Sequence, residues 1–178
     1  MQNYSNIQKF FHDFVLSNKI INKSFFELEK IIFYKNKNIE NQSHVFITGL
    51  PRAGTTSILN FLFSTDRYAS LTYNNMPFIL SPNFSKLFQK KNIERKERLH
   101  GDGINYDINS PEALDEIFFD NDEEYIKKEL VKYIQLILLN KNKKIYLSKN
   151  NLNYKRINLI KSILPNSIFI IPIREPVQ

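Results

Sequence analysis

The sequence predicts an α/β protein in which a parallel sheet is flanked by helices to give three layers. One observation is the run His44-Val45-Phe46-Ile47-Thr48, short, apolar and rich in β-branched and aromatic side chains. It breaks at Gly49 into a turn holding Pro51 and Gly54. The apolar-dense stretch Ser57-Ile58-Leu59-Asn60-Phe61-Leu62-Phe63 follows, so strand, glycine turn and helix come in succession. The second observation is near the carboxyl end, where Lys144-Ile145-Tyr146-Leu147-Ser148 and Ser167-Ile168-Phe169-Ile170-Ile171-Pro172-Ile173 bracket a helical pattern from Asn153 to Leu164. That is a βαβ unit, the building block of a parallel sheet. With 178 residues the chain makes one domain, 1–178, in which N-terminal helices over 4–35 precede a core over 44–178.

Taken in order, residues 4–35 place Phe10, Phe11, Phe14 and Val15, then Phe25, Phe26, Leu28, Ile31 and Ile32, at helical spacing, with a break around Asn18 to Lys23. Asn36 to Ser43 is a polar linker. Tyr68 to Pro82 reads as an aromatic loop, too apolar for idle solvent-facing chain, that packs over the turn at 49–54. Phe84 to Leu99 reads as a helix with a basic face of Lys86, Lys90, Lys91, Arg95, Lys96 and Arg98. Glu94 and Glu97 interleave there, as on a solvated face. The chain has four glycines, in two clusters, and the second is His100-Gly101-Asp102-Gly103. Two glycines around an aspartate suggest positive φ or close approach to a ligand, or simply a tight turn. Ser110-Pro111-Glu112-Ala113 starts a helix running to Phe118 or Phe119, with Glu112, Asp115 and Glu116 complementing its dipole. Asp122 to Asn140 is the clearest helix, with Glu123 and Glu124 at its start and an apolar stripe. Pro172 leaves the end of the last strand unpaired on one side.

Composition excludes several classes. There is no cysteine, hence no disulfide or thiolate metal site, and His12, His44 and His100 offer no pair at metal-ligand spacing, so no metal is expected. No apolar run reaches the roughly 20 residues of a membrane-spanning helix, and the amino terminus is too polar for a signal peptide, which predicts a soluble, cytoplasmic chain. The net charge of +7 suits an anionic partner. Because lysine recurs throughout with asparagine and isoleucine, nucleic acid is not the expected one.

The turn at 49–54 indicates which anion. Free N–H groups at the loop and first helical turn, with the positive end of the helix dipole, make a cradle for phosphate, and Thr55, Thr56 and Ser57 add hydroxyls. An ordinary strand-turn-helix corner would share its outline. Gly49 to Gly54 has the spacing of a Walker A loop, but Thr55 stands where the nucleotide-binding lysine belongs, which disfavours ATP and GTP. Arg52, the cation of the turn, has a planar fork suited to phosphate or sulfate. Lys149 and Arg174 likewise follow strands. If the strands are parallel, Arg52, Lys149 and Arg174 gather at one sheet edge and a multiply charged anion is the natural occupant.

Gly49-Leu50-Pro51-Arg52-Ala53-Gly54-Thr55-Thr56 resembles the 5′-phosphosulfate loop, P-[RK]-[SG]-G-T-T, of sulfotransferases that use 3′-phosphoadenosine-5′-phosphosulfate (PAPS), with Ala53 a small-residue variant. Leu71-Thr72-Tyr73-Asn74-Asn75-Met76-Pro77-Phe78 resembles the segment L-T-Y-R-D-M-P-F of a bacterial branch of that family, with Asn74 and Asn75 in place of Arg and Asp. Glu97 to Leu114 is similar to the same branch. Leu147-Ser148-Lys149-Asn150 resembles the [EL]-x-K-[TNS] segment near the sulfuryl group, and Ile173-Arg174-Glu175-Pro176 the R-[DE]-P that begins the 3′-phosphate motif.

The resemblance implies a P-loop-NTPase-like sulfotransferase fold, incomplete at the carboxyl end. The family continues past R-[DE]-P into a helix whose serine also binds the 3′-phosphate, whereas this chain stops at Gln178. Truncation, self-association and completion by another chain all fit. The implied cofactor is PAPS without metal, held by Pro51, Arg52, Ala53, Gly54, Thr55, Thr56 and Ser57, with Arg174 at the 3′-phosphate. Arg52 and Lys149 are the implied catalytic cations. His100 and Asp102 are alternative bases, since Asn75 cannot take up a proton. The reaction expected is sulfuryl transfer to a hydroxyl or amine, on a carbohydrate or small metabolite. A non-catalytic nucleotide-binding fragment and a degenerate P-loop kinase are the alternatives.

Overall fold

The computed structural model describes residues 18–88, 96–97 and 105–174. Helix α1 (Lys19–Phe33) starts within the expected break, because the Asn18 side chain accepts from the Ile20 and Ile21 N–H groups. The helix expected before it lies outside the described residues. Strand β1 (Val45–Ile47), α2 (Thr55–Ser64) and β2 (Tyr68–Ala69) follow. Next come a 3₁₀ turn (Tyr73–Asn75), α3 (Pro82–Ser85) and a second 3₁₀ turn (Lys86–Phe88). Then come β3 (Lys96–Glu97), β4 (Asn105–Tyr106), α4 (Glu116–Phe119), α5 (Glu123–Lys141), β5 (Ile145–Lys149), a 3₁₀ segment (Asn151–Arg156), α6 (Ile157–Ile163) and β6 (Ile168–Ile170).

The main sheet has the order β2-β5-β1-β6 with every pair parallel. Strand alternation assigns its two faces. Val45, Ile47 and Leu147 pack with Leu59 of α2 on one side, while Phe46, Tyr146 and Phe169 join the larger core with α1, α5 and α6 on the other. The result is the expected three-layer α/β fold. In the larger core Phe118 stacks on Tyr133 at 4.3 Å, and Phe26 meets both rings edge-on. His44 fastens the foot of β1. Its carbonyl accepts from Ile168 N–H at 2.7 Å, its ring Nδ1 accepts from Tyr146 N–H at 3.1 Å, and Nε2 donates to the Ile39 carbonyl at 3.1 Å. Both nitrogens are used by the neutral ring, and burial pushes its pKa down to about 4.

Four expectations are corrected. The helix expected from Phe84 to Leu99 is, where described, only α3 and a 3₁₀ turn, and Lys96–Glu97 instead pairs antiparallel with Asn105–Tyr106. Tertiary contacts start α3. Buried Glu29 of α1 accepts from Asn83 N–H at 3.0 Å, Phe84 N–H at 3.1 Å and Asn83 Nδ2 at 2.8 Å. Burial lifts the Glu29 pKa to about 7 against the pull of these bonds.

The aromatic stretch from Tyr68 to Pro82 is scaffold and not a plain loop. It contributes edge strand β2, and its Leu71, Ile79 and Leu80 join the larger core, because burial of so much apolar surface outweighs solvent contact. The helix expected from Ser110 is shortened to Glu116–Phe119. Pro111 is drawn into a bridge with Thr72 instead. Lastly, of the acids read as dipole complements, Glu116 lies in the first turn of α4 and Asp115 at its N-cap, but Glu112 precedes the helix, and all three are engaged by side chains elsewhere. Glu112 accepts from Tyr73 OH at 2.9 Å, and the other two bond to β5 and the segment after it.

Candidate functional site

The chain leaves the sheet just past β1. Thr48 N–H donates to the Ile170 carbonyl at 3.0 Å, and the path turns through Gly49 with φ 154°, Arg52 with φ 67° and Gly54 with φ 90°. A Cβ at Gly49 would sit 3.4 Å from both Pro172 and Thr55, so the loop is pressed against the chain leaving β6. One internal bond, Ala53 N–H to the Leu50 carbonyl at 3.2 Å, closes the turn. Gly54 caps α2 without a side-chain bond, and the first-turn amides behind it have no carbonyl within the helix to reach. Arg52 holds a left-handed backbone, a conformation that costs a non-glycine residue roughly 1–2 kcal/mol, and its side chain is exposed.

The 3₁₀ segment after β5 braces this loop from below. Thr48 Oγ1 donates to the Asn151 carbonyl at 3.1 Å and accepts from Tyr154 N–H at 3.0 Å. Asn150 N–H donates to the Ile47 carbonyl at 3.0 Å, and Asn153 Nδ2 donates to Ser148 Oγ at 3.1 Å. Thr55 is buried, with its hydroxyl 3.5 Å from Asn151 Oδ1, a contact at the outer limit of a hydrogen bond.

Behind these residues lies an acidic layer that sequence reasoning missed. Asp115 Oδ2 accepts from Tyr146 OH at 2.9 Å and from Ser148 Oγ, and full burial raises its pKa. Glu116 takes both arms of Arg156, at 2.9 and 2.6 Å, and accepts from Asn150 Nδ2. The Arg156 bonds chiefly hold its pKa down. Arg156 is thus engaged, and it also lies 4.8 Å over the Phe119 ring. No local signal announced this pair, since its members are 40 residues apart.

Asn75, read as the place of an absent base, is a structural residue. It is fully buried, accepts from Thr72 N–H at 2.9 Å and Thr72 Oγ1 at 3.2 Å, and donates to Ser85 Oγ at 3.1 Å and Asn140 Oδ1 at 3.4 Å.

Of the residues expected at the site, Pro51, Arg52 and Ser57 are exposed, Ala53 and Thr56 half-buried and Thr55 buried, all on the loop or first turn of α2. Lys149 ends β5, in register with Ile47 of β1. Arg174 is exposed, four residues past the end of β6. Lys149 therefore stands at the carboxyl end of its strand, and Arg52 and Arg174 follow the carboxyl ends of the two strands next along the sheet. His100, Asp102, Glu175 and Pro176 lie outside the described residues. Among the described residues no cluster of His, Asp and Glu could hold a metal ion, and no helix is long and apolar enough to cross a membrane.

A parallel sheet whose first strand runs into a braced, cation-bearing loop at a helix start defines an α/β protein with a P-loop-like fold. The chain belongs to the sulfotransferase family, whose model matches residues 44–178. The fold is similar to that of the sulfotransferase STF1 from Mycobacterium tuberculosis, with a TM-score of 0.58 at 12% identity. The likeness covers 90% of this chain and 53% of that one, so the chain spans about half the length of that structure. No curated protein matches the chain.

Proposed function

We propose that the chain binds 3′-phosphoadenosine-5′-phosphosulfate and serves sulfuryl transfer to a hydroxyl or amine, on a carbohydrate or small metabolite. The observation that carries this reading is the loop at 49–54. It offers helix-start amides, the hydroxyls of Thr55 and Thr56 and the exposed guanidinium of Arg52, with Lys149 and Arg174 following the flanking strands. Thr55 in place of the Walker A lysine weighs against a nucleoside triphosphate.

In this reading the loop amides and Arg52 hold the 5′-phosphosulfate and Arg174 the 3′-phosphate. Lys149 lies where charge builds on the leaving oxygen. The acceptor oxygen or nitrogen bonds to sulfur as the bond from sulfur to the 5′-phosphate oxygen breaks. The acceptor's proton passes to a base, for which His100 and Asp102 are the candidates. Adenosine 3′,5′-bisphosphate leaves.

The test is calorimetric titration of the chain with adenosine 3′,5′-bisphosphate. Saturable binding is expected, weakened about tenfold to a hundredfold in Arg52→Ala and in Arg174→Ala, as loss of a charge-assisted bond to phosphate predicts. Melting temperatures should stay unchanged, since both side chains are exposed. A folded chain that binds no bisphosphate would overturn the reading. Transfer itself is read with a radiolabelled donor.

A further inference from the structure

The residues on either side of Lys149 are each held by one of two consecutive acids. Asp115 Oδ2 accepts from Ser148 Oγ, one residue before the lysine, and from Tyr146 OH at 2.9 Å. Glu116 Oε2 accepts from Asn150 Nδ2, one residue after it. Both acids sit at the start of α4, Asp115 as its N-cap, and Phe118 and Phe119 root that helix in the larger core. Arg156 grips Glu116 with both arms, at 2.9 and 2.6 Å, and so fixes it from the other side.

The sheet separates these acids from the ammonium. Strand alternation puts Ser148 on the face of Tyr146, toward α4 and the larger core, and Lys149 on the face of Leu147, toward α2. The register sets Lys149 beside Ile47, two residues before the loop at 49–54 begins. An acid on that face would pair with the ammonium and compete with a bound anion for it. Acids behind the sheet hold the chain on both sides of the lysine without neutralising it. Asp115 is buried, and among the described residues its Oδ1 has no hydrogen-bond partner. A buried, half-satisfied carboxyl costs the fold stability, so what it holds explains it better than what it stabilises.

We infer that Asp115 and Glu116 are positioning residues for Lys149. Through Ser148 and Asn150 they fix the backbone from which the ammonium reaches the donor's 5′-phosphate, and they act from the face of the sheet that the donor does not touch. The inference rests on the proposed role of Lys149 at the leaving oxygen. That oxygen stays on the 5′-phosphate of adenosine 3′,5′-bisphosphate, so affinity for the bisphosphate reports where the ammonium stands.

The test is a double-mutant cycle on bisphosphate affinity, measured by calorimetry on the full chain. Lys149→Ala is expected to weaken binding about tenfold and Glu116→Ala about fivefold. In the Lys149→Ala background, Glu116→Ala should weaken it by less than about twofold, because no ammonium remains to be misplaced. Ser148→Ala, which releases the other flank from Asp115, should show the same dependence on Lys149. Glu116→Gln, whose carbonyl oxygen can still accept from Asn150, should stay within about twofold of the parent. Glu116 is partly exposed, so its variants remain informative if Ser148→Ala fails to fold. The inference is overturned by equal losses with and without Lys149, by no loss from Glu116→Ala, or by Glu116→Gln binding as weakly as Glu116→Ala. Each of those outcomes leaves the bisphosphate reading standing, whereas a folded parent that binds no bisphosphate overturns both.

Discussion

Two segments that follow strands, 48–57 after β1 and 70–85 after β2, both carry the marks of function in the sequence, yet the structure treats them in opposite ways. Past Thr48, the first leaves the amides of its opening helical turn without a partner inside the helix and its cation exposed, and the backbone bond within it is the one closing the turn. The second closes on itself. Asn75 uses donors and acceptor together, Glu29 caps the backbone at Asn83 and Phe84, and Leu71, Ile79 and Leu80 sink into the core. Aromatic richness and a family-like motif do not separate a site from its scaffold. What separates them is whether the polar groups are already satisfied.

The largest effect that can break this comparison is expected at Phe78, 2% exposed and edge-on to Phe25 at 5.1 Å. Phe78→Ala should lower unfolding free energy by about 3–5 kcal/mol in a denaturant titration. Bisphosphate affinity, measured where the variant is still folded, should hardly move, the reverse of the expectation for Arg52→Ala. If Phe78→Ala abolished binding in the folded protein, the two segments could not be distinct.

Glu29 gives the next largest effect. Its folded pKa of about 7 lies above the ordinary value of 4.5, so the unfolded chain releases this proton first. The stability Glu29 contributes is therefore full below pH 4.5 and is lost as pH rises through 7, by about 3 kcal/mol. Glu29→Gln should remove that slope. Subtracting the stability curves of variant and parent isolates the effect, because His44, which acts in the opposite direction, is common to both. Identical curves would show that the carboxyl is ionised throughout.

Gly54→Ala should have the smallest effect. Nothing lies within 4 Å of the added Cβ, so the cost is that of φ 90° alone, about 1 kcal/mol on thermal unfolding. A much larger loss would mean that the loop is as tightly packed as the segment after β2.

Much of the fold is legible because its signals are local. The run before Gly49, the stripe of α5 and the apolar strands β5 and β6 each announce themselves within a dozen residues, and the structure has all of them. The loop at 49–54 is legible for the same reason, its glycines and proline marking a turn before a helix. The role of Asp115 was not. Ser110-Pro111-Glu112 carries a genuine helix-start pattern, and only the approach of β5, with Tyr146 and Ser148, converts the acid that follows into a buried acceptor. Strand β2 escaped notice because two residues carry no period; it exists by pairing with Ile145 and Tyr146. Arg156 carries no local signal either, because its partner Glu116 comes within reach only through the fold.

One atom that proline lacks shapes the mouth of the fold. The ladder between β1 and β6 climbs from Ile168 N–H on the His44 carbonyl to Thr48 N–H on the Ile170 carbonyl. In a parallel pair the next rung belongs to residue 172, whose N–H would reach the Thr48 carbonyl. Pro172 has none to give, so the hydrogen-bonded ladder halts there and packing takes over: carbons of the Pro172 ring lie 3.4–3.5 Å from where a Cβ on Gly49 would stand. The point at which the loop leaves the sheet is thus set by covalent chemistry in a neighbouring strand, before any guest arrives.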